Sequence, residues 1–221
     1  GPAIELDYPD DKSANGQTNN TYTGTGGVAV GNIVQRALFA MHYQEPNILL
    51  SNQISSASKI LYDRDPKTRV AKVAPWLTLD GDAYPAIVDG KVQWIVDGFT
   101  TSNEYPYAAR VSLRDATADS VNTQAAAMSV NSGNITYIRN AVKATVDAYD
   151  GTVNIYAWDE SDPVLKTWSK AFPGVVKPKS EIPAGVLDHI RYPEDMFKVQ
   201  RDVLAKYHVT DPQAFYSGQD F

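Results

Sequence analysis

The sequence contains no cysteine. This absence excludes disulfide bonds, thiolate nucleophiles and every zinc or iron–sulfur site that is built on cysteine ligands. Histidine is also scarce, because only His42, His189 and His208 are present and they are far apart in the chain. Their spacing does not match that of a metal-binding helix, so we do not expect histidine-based metal ligation.

Basic residues are in deficit. Lys and Arg total 20 against 26 Asp and Glu, which gives a formal net charge of −6. A nucleic-acid partner calls for a basic surplus that neutralises phosphates, so no nucleic acid is expected to bind.

Long apolar runs are absent as well. The most apolar stretch, residues 31–43, is interrupted by Asn32, Gln35, Arg36 and His42, which makes it too short and too polar to cross a bilayer. The N-terminus has no signal-peptide pattern. Gly1 and Pro2 are typical of a protease-cleavage remnant, so we expect this chain to be a piece of a longer protein.

The first quarter of the chain is predicted to change from an arm to helices. Residues 1–27 are rich in Asn, Thr and Gly and predict an extended N-terminal arm. Apolar residues then recur at three- and four-residue spacing and predict a helix over 28–43 with one apolar stripe. The stripe consists of Val30, Ile33, Val34, Ala37, Leu38 and Met41. A second helix is predicted over 51–61.

The middle of the chain changes to the two-residue period of strands. Runs 70–79, 84–88 and 92–99 alternate apolar and polar residues and are separated by Asp80-Gly81 and Asp89-Gly90. Asp-Gly between such runs is a strong hairpin signal. We therefore predict a three-stranded meander that completes a helix-helix-β-meander unit over 28–113.

A second unit is predicted after a break. Residues 114–134 are small, polar and aperiodic, which favours a flexible surface loop that proteases cut first. Residues 135–221 then predict a β-hairpin plus helical unit, with a helical turn over 135–140 and strands on both sides of Asp150-Gly151. AIVDGKVQWIV and DAYDGTVNIYAW share one pattern, and both duplication and convergence of hairpins remain open as its origin.

The last third predicts short helices that begin beside a proline and an acid, at Pro163, Pro193 and Pro212. The longest is predicted over 193–207, and its buried face consists of Met196, Val199, Val203, Leu204 and Tyr207. The predicted fold class is α+β, with antiparallel β-meander or hairpin units and helices packed on them. An arrangement of two similar subunits stays open.

The acidic hairpin turns are the first candidate site. Asp80 and Asp82 present carboxylates two residues apart, which would supply some of the six to eight oxygen ligands that calcium takes. Turn geometry alone also explains Asp-Gly pairs. Carboxylates near Asp80, Asp82 and Asp97 are also candidates for acid–base hydrolysis, although no catalytic residue is identified.

The second candidate is a binding loop after the strand 92–99. Residues 100–107 carry Asn103, Glu104, Tyr105 and Tyr107. Such a loop combines polar reach with flat apolar area, which suits ligand binding.

Three stretches resemble a known family. They are RVAKVAPWLTLDGDAYPAIVDGKVQWIVDGFTTSNEYPY (69–107), VKATVDAYDGTVNIYAWDESDPVLKTWSKAFPG (142–174) and RYPEDMFKVQRDVLAKYHVTDPQAFYSGQDF (191–221). Together they closely resemble uncharacterised protein family 0182, large membrane proteins of actinobacteria. The resemblance implies a block of transmembrane helices followed by an extracytoplasmic region, of which this chain would be the first part. It implies no catalytic residue, because the family has no established activity.

We therefore expect a soluble extracytoplasmic module at the cell membrane that binds or supports rather than catalyses. Its expected partners are its own transmembrane block, the remaining extracytoplasmic segments, and an envelope component or partner protein. No cofactor is expected apart from the calcium candidate. The alternative is an envelope hydrolase or transferase that uses carboxylates near the Asp-Gly hairpins.

Overall fold

The computed structural model describes residues 5–9, 12, 16–20, 22–52, 54–117 and 133–217. The chain divides into two compact units, Gly1–Asp63 and Arg64–Phe221. Helices alternate with mostly antiparallel strands, so the predicted α+β class is confirmed. No helix within the described ranges is long and apolar enough to cross a membrane.

The described residues of the first unit form two short antiparallel strand pairs and two helices. Its described part includes a strand pair within the segment that was predicted to be an extended arm. The elements are β1 (Glu5–Pro9) paired with β2 (Gln17–Asn20), β3 (Val28–Ala29) paired with β4 (Lys59–Ile60), α1 (Ile33–Tyr43) and α2 (Asn47–Leu50).

Helix α1 begins later than predicted, and its apolar stripe faces solvent. Asn32 caps the helix by accepting a 2.8 Å hydrogen bond from the Val34 N–H. The opposite face packs inward, where Ala40 is buried and the Phe39 ring lies against Tyr62. The apolar stripe therefore does not pack inward at Ile33, Val34, Leu38 and Met41, which are all exposed.

The second predicted helix, over 51–61, is also wrong. Helix α2 ends at Leu50, and the chain reaches β4 by Lys59. In the segment between α2 and β4, serine side chains form hydrogen bonds with the backbone that compete with those of a helix. The Ser58 hydroxyl accepts from the Ser55 N–H at 3.0 Å, and the Ser55 hydroxyl accepts from the Ala57 N–H at 3.2 Å.

The second unit is built on a six-stranded sheet in the order β12-β11-β10-β7-β5, with β6 also paired to β7. Among the described strand pairs, β11–β12 is the one that is parallel. The strands are β5 (Thr78–Leu79), β6 (Tyr84–Val88), β7 (Lys91–Ser102), β10 (Tyr137–Asp147), β11 (Val153–Ala157) and β12 (Val176–Lys177); a separate pair is formed by β8 (Val111–Ser112) and β9 (Asn134–Ile135).

Short helices surround this sheet. Their starts beside Pro163 and Pro212 are confirmed, and Pro193 precedes the longest helix as its cap residue. The helices are α3 (Pro66–Val73), α4 (Leu113–Ala116), α5 (Pro163–Ala171), α6 (Ala184–Leu187), α7 (Glu194–Tyr207) and α8 (Pro212–Ser217), with a 3-10 turn at Lys179–Glu181.

Three segments of this unit differ from prediction. The first half of the predicted strand 70–79 belongs to α3, which Asp65 caps by accepting from the Thr68 N–H at 2.7 Å. Residues 137–140 extend β10 instead of forming a helical turn. Of the predicted loop 114–134, residues 114–116 belong to α4 and residue 134 belongs to β9, while 118–132 lie outside the described residues.

The predicted three-stranded meander is wrong, because among the described strands β5 pairs with β7 and not with β6 across Asp80-Gly81. The other two Asp-Gly pairs, Asp89-Gly90 and Asp150-Gly151, form hairpins as predicted, and Gly90 and Gly151 have positive φ. Their turns differ, however. Val88 pairs with Lys91 across a two-residue turn, whereas Val146 pairs with Val153 across a longer one. The two hairpins do not form separate sheets, because β7 and β10 pair directly with each other.

The paired strands β7 and β10 are buried on both faces over residues 95–100 and 141–147. Neighbouring side chains on a strand point to opposite faces. Val96 accordingly lies in a cluster with α3 and α5, and Ile95 lies in a second cluster with β6 and α6.

Helix α7 packs through its first half. Met196 and Val199 are buried as predicted, and Val199 joins a cluster with Leu113, Ala116 and Ile135. Leu204 and Tyr207 were predicted to be buried, but both are exposed. The last two turns of this helix therefore present apolar side chains to solvent.

Candidate functional site

Two grooves adjoin along helix α7. Groove A has a volume of about 540 Å³, and its lining includes Arg139, Asn140, Lys143, Trp158, Arg191 and Tyr192. Groove B has a volume of about 470 Å³ and is lined chiefly by Tyr105, Tyr107, Val111, Tyr137, Val203 and Tyr207. Ile138 and Arg139 line both grooves, so the two grooves adjoin at these residues, and we call the pair the α7 trough.

An irregularity in β10 positions the polar side chains of groove A. The register between β10 and β7 shifts between Asn140 and Val142. Such a bulge re-aims side chains. As a result, both Asn140 and Lys143 reach the same carboxylate, that of Asp97 on β7.

Lys143 and Asp97 form a buried ion pair on directly opposed positions of the two central strands. Lys143 Nζ also donates to the Arg191 carbonyl at 3.1 Å, and the Asn140 amide donates to Asp97 Oδ1 at 3.0 Å. Burial raises the pKa of Asp97, and the charge and hydrogen bond of Lys143 oppose that rise. This pair fixes the floor of groove A.

A second buried carboxyl group connects the sheet to helix α7. Asp80 accepts from the Asp195 N–H at 3.0 Å, and Asp195 accepts from the Gly81 N–H at 2.7 Å. Pro193, the cap residue of α7, provides no side-chain hydrogen bond. Asp80 therefore supplies from a distant strand the acceptor that a local cap residue ordinarily supplies.

The environment of Asp80 disfavours its charged form. Burial, and then the nearby Asp195 carboxylate, raise the pKa of Asp80 to about 7, although hydrogen bonds from the Asp82 and Asp195 N–H groups oppose the rise. Burial also raises the pKa of Asp195. Two adjacent carboxyl groups thus anchor the first turn of α7.

The structure assigns turn and capping hydrogen bonds to the predicted calcium residues. One Asp80 oxygen accepts from the Asp82 N–H at 2.8 Å and the other from the Asp195 N–H, while Asp82 is exposed. Within the described ranges, no group of three or more His, Asp or Glu residues is arranged to hold a metal ion. Calcium at Asp80 and Asp82 stays a prediction, which melting with calcium and with chelator would test.

The predicted binding loop contributes two of its four residues to the trough. Asn103, Glu104, Tyr105 and Tyr107 are all exposed, and the two tyrosines line groove B. The Tyr105 N–H donates to the Thr136 hydroxyl at 2.9 Å, and its ring stacks on Tyr137 at 5.8 Å. The binding role of these residues stays a prediction.

Tyr137 forms the firm part of groove B. Its hydroxyl donates to Asp162, which also accepts from the Leu165 N–H at 2.6 Å as the cap of α5. Burial and this hydrogen bond raise the pKa of Tyr137. The ring is therefore held as a platform for Tyr105 on one side of the trough.

Sequence reasoning missed the cationic residues of groove A. The Arg139 guanidinium lies over the Tyr137 ring at 5.3 Å, and that of Arg191 lies over the Tyr84 ring at 4.5 Å. Within the part of the chain that the structure describes, neither arginine makes a salt bridge. One signal was available, because Lys143 interrupts an otherwise apolar strand (AVKATV) and a buried lysine requires a partner.

Comparison with known proteins shows the family of this chain. The chain is a member of the uncharacterised protein family UPF0182, whose family model matches residues 2–221. The family has no established activity. No solved structure matches the chain.

The relatives are actinobacterial UPF0182 proteins. One from Frankia alni is 58% identical over 99% of this chain and 21% of its own length. One from Kineococcus radiotolerans is 57% identical over 98% of this chain and 21% of its own length. One from Streptomyces coelicolor is 54% identical over 100% of this chain and 22% of its own length. The chain thus spans about a fifth of the length of these relatives.

Proposed function

We propose that this chain is an extracytoplasmic binding module of a multi-pass membrane protein, and that the α7 trough is its binding surface. The location is supported by the resemblance to large actinobacterial membrane proteins. It is also consistent with the length of the relatives, of which this chain spans about a fifth. The partners proposed for the module are its own transmembrane block, the remaining extracytoplasmic segments, and an envelope component or partner protein.

The trough itself carries the proposal of binding. Ligand sites are concave, largely apolar and provided with a few fixed polar groups. The trough joins a groove with fixed cationic groups to a groove lined by tyrosines, and Arg139 borders both. A ligand with polar and apolar parts can therefore contact both grooves at once.

An envelope hydrolase or transferase is the second candidate, and one observation favours it. The pKa of Asp80, about 7, lies in the range of useful acid–base groups. However, both Asp80 oxygens accept backbone hydrogen bonds, and Asp80 and Asp97 are buried. Neither carboxylate lines the trough. We therefore favour binding over catalysis.

The location can be tested by labelling cysteines, because the chain has none of its own. Lys166→Cys would place a thiol on the exposed face of α5 in the full-length protein. A membrane-impermeant maleimide is expected to label this variant in intact cells. Val142→Cys, at a fully buried position, and the unsubstituted protein are the controls. Labelling of residue 166 only after the cells are permeabilised would contradict the proposed location.

The binding role can be tested by photocrosslinking in cells. A benzophenone amino acid would replace Tyr192 in groove A or Tyr107 in groove B, with the exposed Tyr216, outside both grooves, as the matched control. Adducts are expected from the trough positions alone, and mass spectrometry would identify the partner. If all three positions give the same adducts, or if the trough positions give none, the trough is not the binding surface.

A further inference from the structure

Groove A is cationic in a chain that is acidic overall. Its lining includes Arg139, Lys143 and Arg191 and no Asp or Glu. The chain as a whole carries an acidic excess, with 26 acidic against 20 basic residues. The positive lining is therefore a local property of this groove and not a consequence of composition.

The unpaired positive charge of the groove resides on its two arginines. The charge of Lys143 is balanced by Asp97, whereas Arg139 and Arg191 make no salt bridge among the described residues. Each guanidinium group lies over an aromatic ring, which favours its position beside the groove before a ligand arrives. Two preset guanidinium groups beside one cavity form an arrangement suited to an oxyanion.

Nearby acidic groups reduce the positive electrostatic potential of groove A, but none of them lines the groove. Asp159 lies close enough to Arg139 for a Coulombic interaction. Asp80 and Asp195 meet at the start of α7, are not among the residues that line the groove, and have pKa values that burial raises. On the side of Trp158, Lys179 adds a further cation, 3.8 Å from the ring centre.

The shape of the cationic lining favours phosphate over carboxylate. A carboxylate presents two oxygens in one plane and is matched by one guanidinium group. A phosphate group has more oxygens in a tetrahedral arrangement and can accept from two arginines on different elements at once. Arg139 on β10 and Arg191 before α7 are two such donors.

The lining of groove B indicates which chemical group the phosphate is attached to. Its charged lining is limited to Arg139, and the rest is chiefly tyrosine, valine, isoleucine and alanine. We propose that groove A binds the phosphate group of a phosphate ester whose apolar or aromatic part occupies groove B. This inference rests on the proposed binding function and names the ligand class of the same trough.

The first test uses the 221-residue chain and three soluble probes in titration calorimetry. Phenyl phosphate is expected to bind more tightly than inorganic phosphate, and both more tightly than benzoate. Arg139→Gln and Arg191→Gln are each expected to weaken phenyl phosphate binding by roughly tenfold or more, because each removes charge-assisted hydrogen bonds. Arg114→Gln, an exposed arginine outside both grooves, is the matched control and is expected to bind like the parent.

Folding of each variant is checked by its melting midpoint, and Arg191→Lys adds a second comparison. Lysine keeps the charge but loses the guanidinium fork, so its affinity is expected to fall between those of the parent and Arg191→Gln. The inference would be overturned if the parent and both glutamine variants bound phenyl phosphate equally. It would also be overturned if benzoate bound as tightly as phenyl phosphate, or if neither phosphate probe bound.

Vesicles distinguish the two sources of a phosphate group. If vesicles that contain phosphatidylglycerol bind the chain, phosphatidylcholine vesicles do not, and phenyl phosphate competes, the ligand is a lipid headgroup. Binding of phenyl phosphate without vesicle binding indicates a soluble phosphate ester, and either result supports the phosphate site. Photocrosslinks at Tyr107 and Tyr192 without any phosphate binding would keep the binding module and reject only its phosphate chemistry.

Discussion

Asp80 is a carboxyl group whose protonation is coupled to folding. Its pKa rises from 3.8 in the unfolded reference to about 7 in the fold. Between these two values the folded chain keeps a proton that the unfolded chain has lost. The stability contribution is therefore fully present below about pH 4 and is lost as the pH rises through about 7. Asp97 and Asp195, whose pKa values are also raised, act in the same direction.

Asp80→Asn is expected to flatten the pH dependence of stability. The shift of Asp80 corresponds to an effect on the order of 4 kcal/mol between pH 4 and pH 8. Urea unfolding at a series of pH values measures it, with the exposed Asp82→Asn as control. If the free energy of unfolding of Asp80→Asn changes with pH as steeply as that of the parent, Asp80 does not carry the raised pKa.

The Lys143–Asp97 pair leads to a second prediction. Lys143→Met leaves the Asp97 carboxylate buried without its cation, and the expected loss is about 3–5 kcal/mol in the free energy of unfolding. The loss should be larger at pH 8 than at pH 5, because protonation of Asp97 relieves it. Adding Asp97→Asn removes the buried charge and should recover part of the stability. If the two substitutions instead add independently in denaturant unfolding, the pair is not coupled.

At the scale of the elements, the two hairpin glycines should respond differently to alanine. Both have positive φ, of 74° at Gly90 and 75° at Gly151. A Cβ at Gly90 meets nothing within 4 Å, whereas one at Gly151 lies 2.6 Å from the Arg69 guanidinium carbon. Arg69 Nε also donates to the Gly151 carbonyl at 2.7 Å.

We expect Gly90→Ala to cost about 1 kcal/mol for its backbone conformation alone. Gly151→Ala should cost about 1 kcal/mol more, since Arg69 must move and its hydrogen bond weakens. Gly90→Asn, with a residue that tolerates positive φ, is the control and should cost less than Gly90→Ala. Thermal midpoints of the variants give the ranking, and equal losses at the two glycines would rule out the role of Arg69.

The hairpins were predictable because their signals are local. Asp-Gly specifies a turn, and the alternating residues on each side specify strands such as β6 and β7. The failures depend on information that is not local. Residues 70–73 have apolar residues compatible with either period, and the Asp65 cap with Pro66 decides for helix α3. The exposed stripe of α1 has the helical period of a buried face, and period alone does not show which face is covered.

The site was predictable only in part for the same reason. Tyr105 and Tyr107 form a recognisable aromatic loop, and both line groove B. Arg139 and Arg191 are separated by about a third of the second unit and look like ordinary surface residues in the sequence. Only the pairing of β10 with β7 and the return of the chain before α7 bring them to one groove.

At the scale of the whole molecule, the second unit depends on strands that are far apart in sequence. Residues Gln93 to Ser102 of β7 lie opposite Tyr137 to Asp147 of β10, and each strand is buried on both faces over its central residues. The hairpins predicted in two separate units, 28–113 and 135–221, therefore contribute to one sheet. Neither hairpin forms the core of this unit without the other.

This pairing makes the molecule a candidate for fragment complementation. Pieces 1–117 and 133–221 each carry one of the two central strands, and each lacks the neighbour that covers it. Co-expressed, they should assemble without a covalent connection and copurify when only one carries an affinity tag. Lys143→Met in the second piece should weaken the assembly, because the Asp97 partner lies in the first. The sheet that organises the trough would then serve as a split-protein interface.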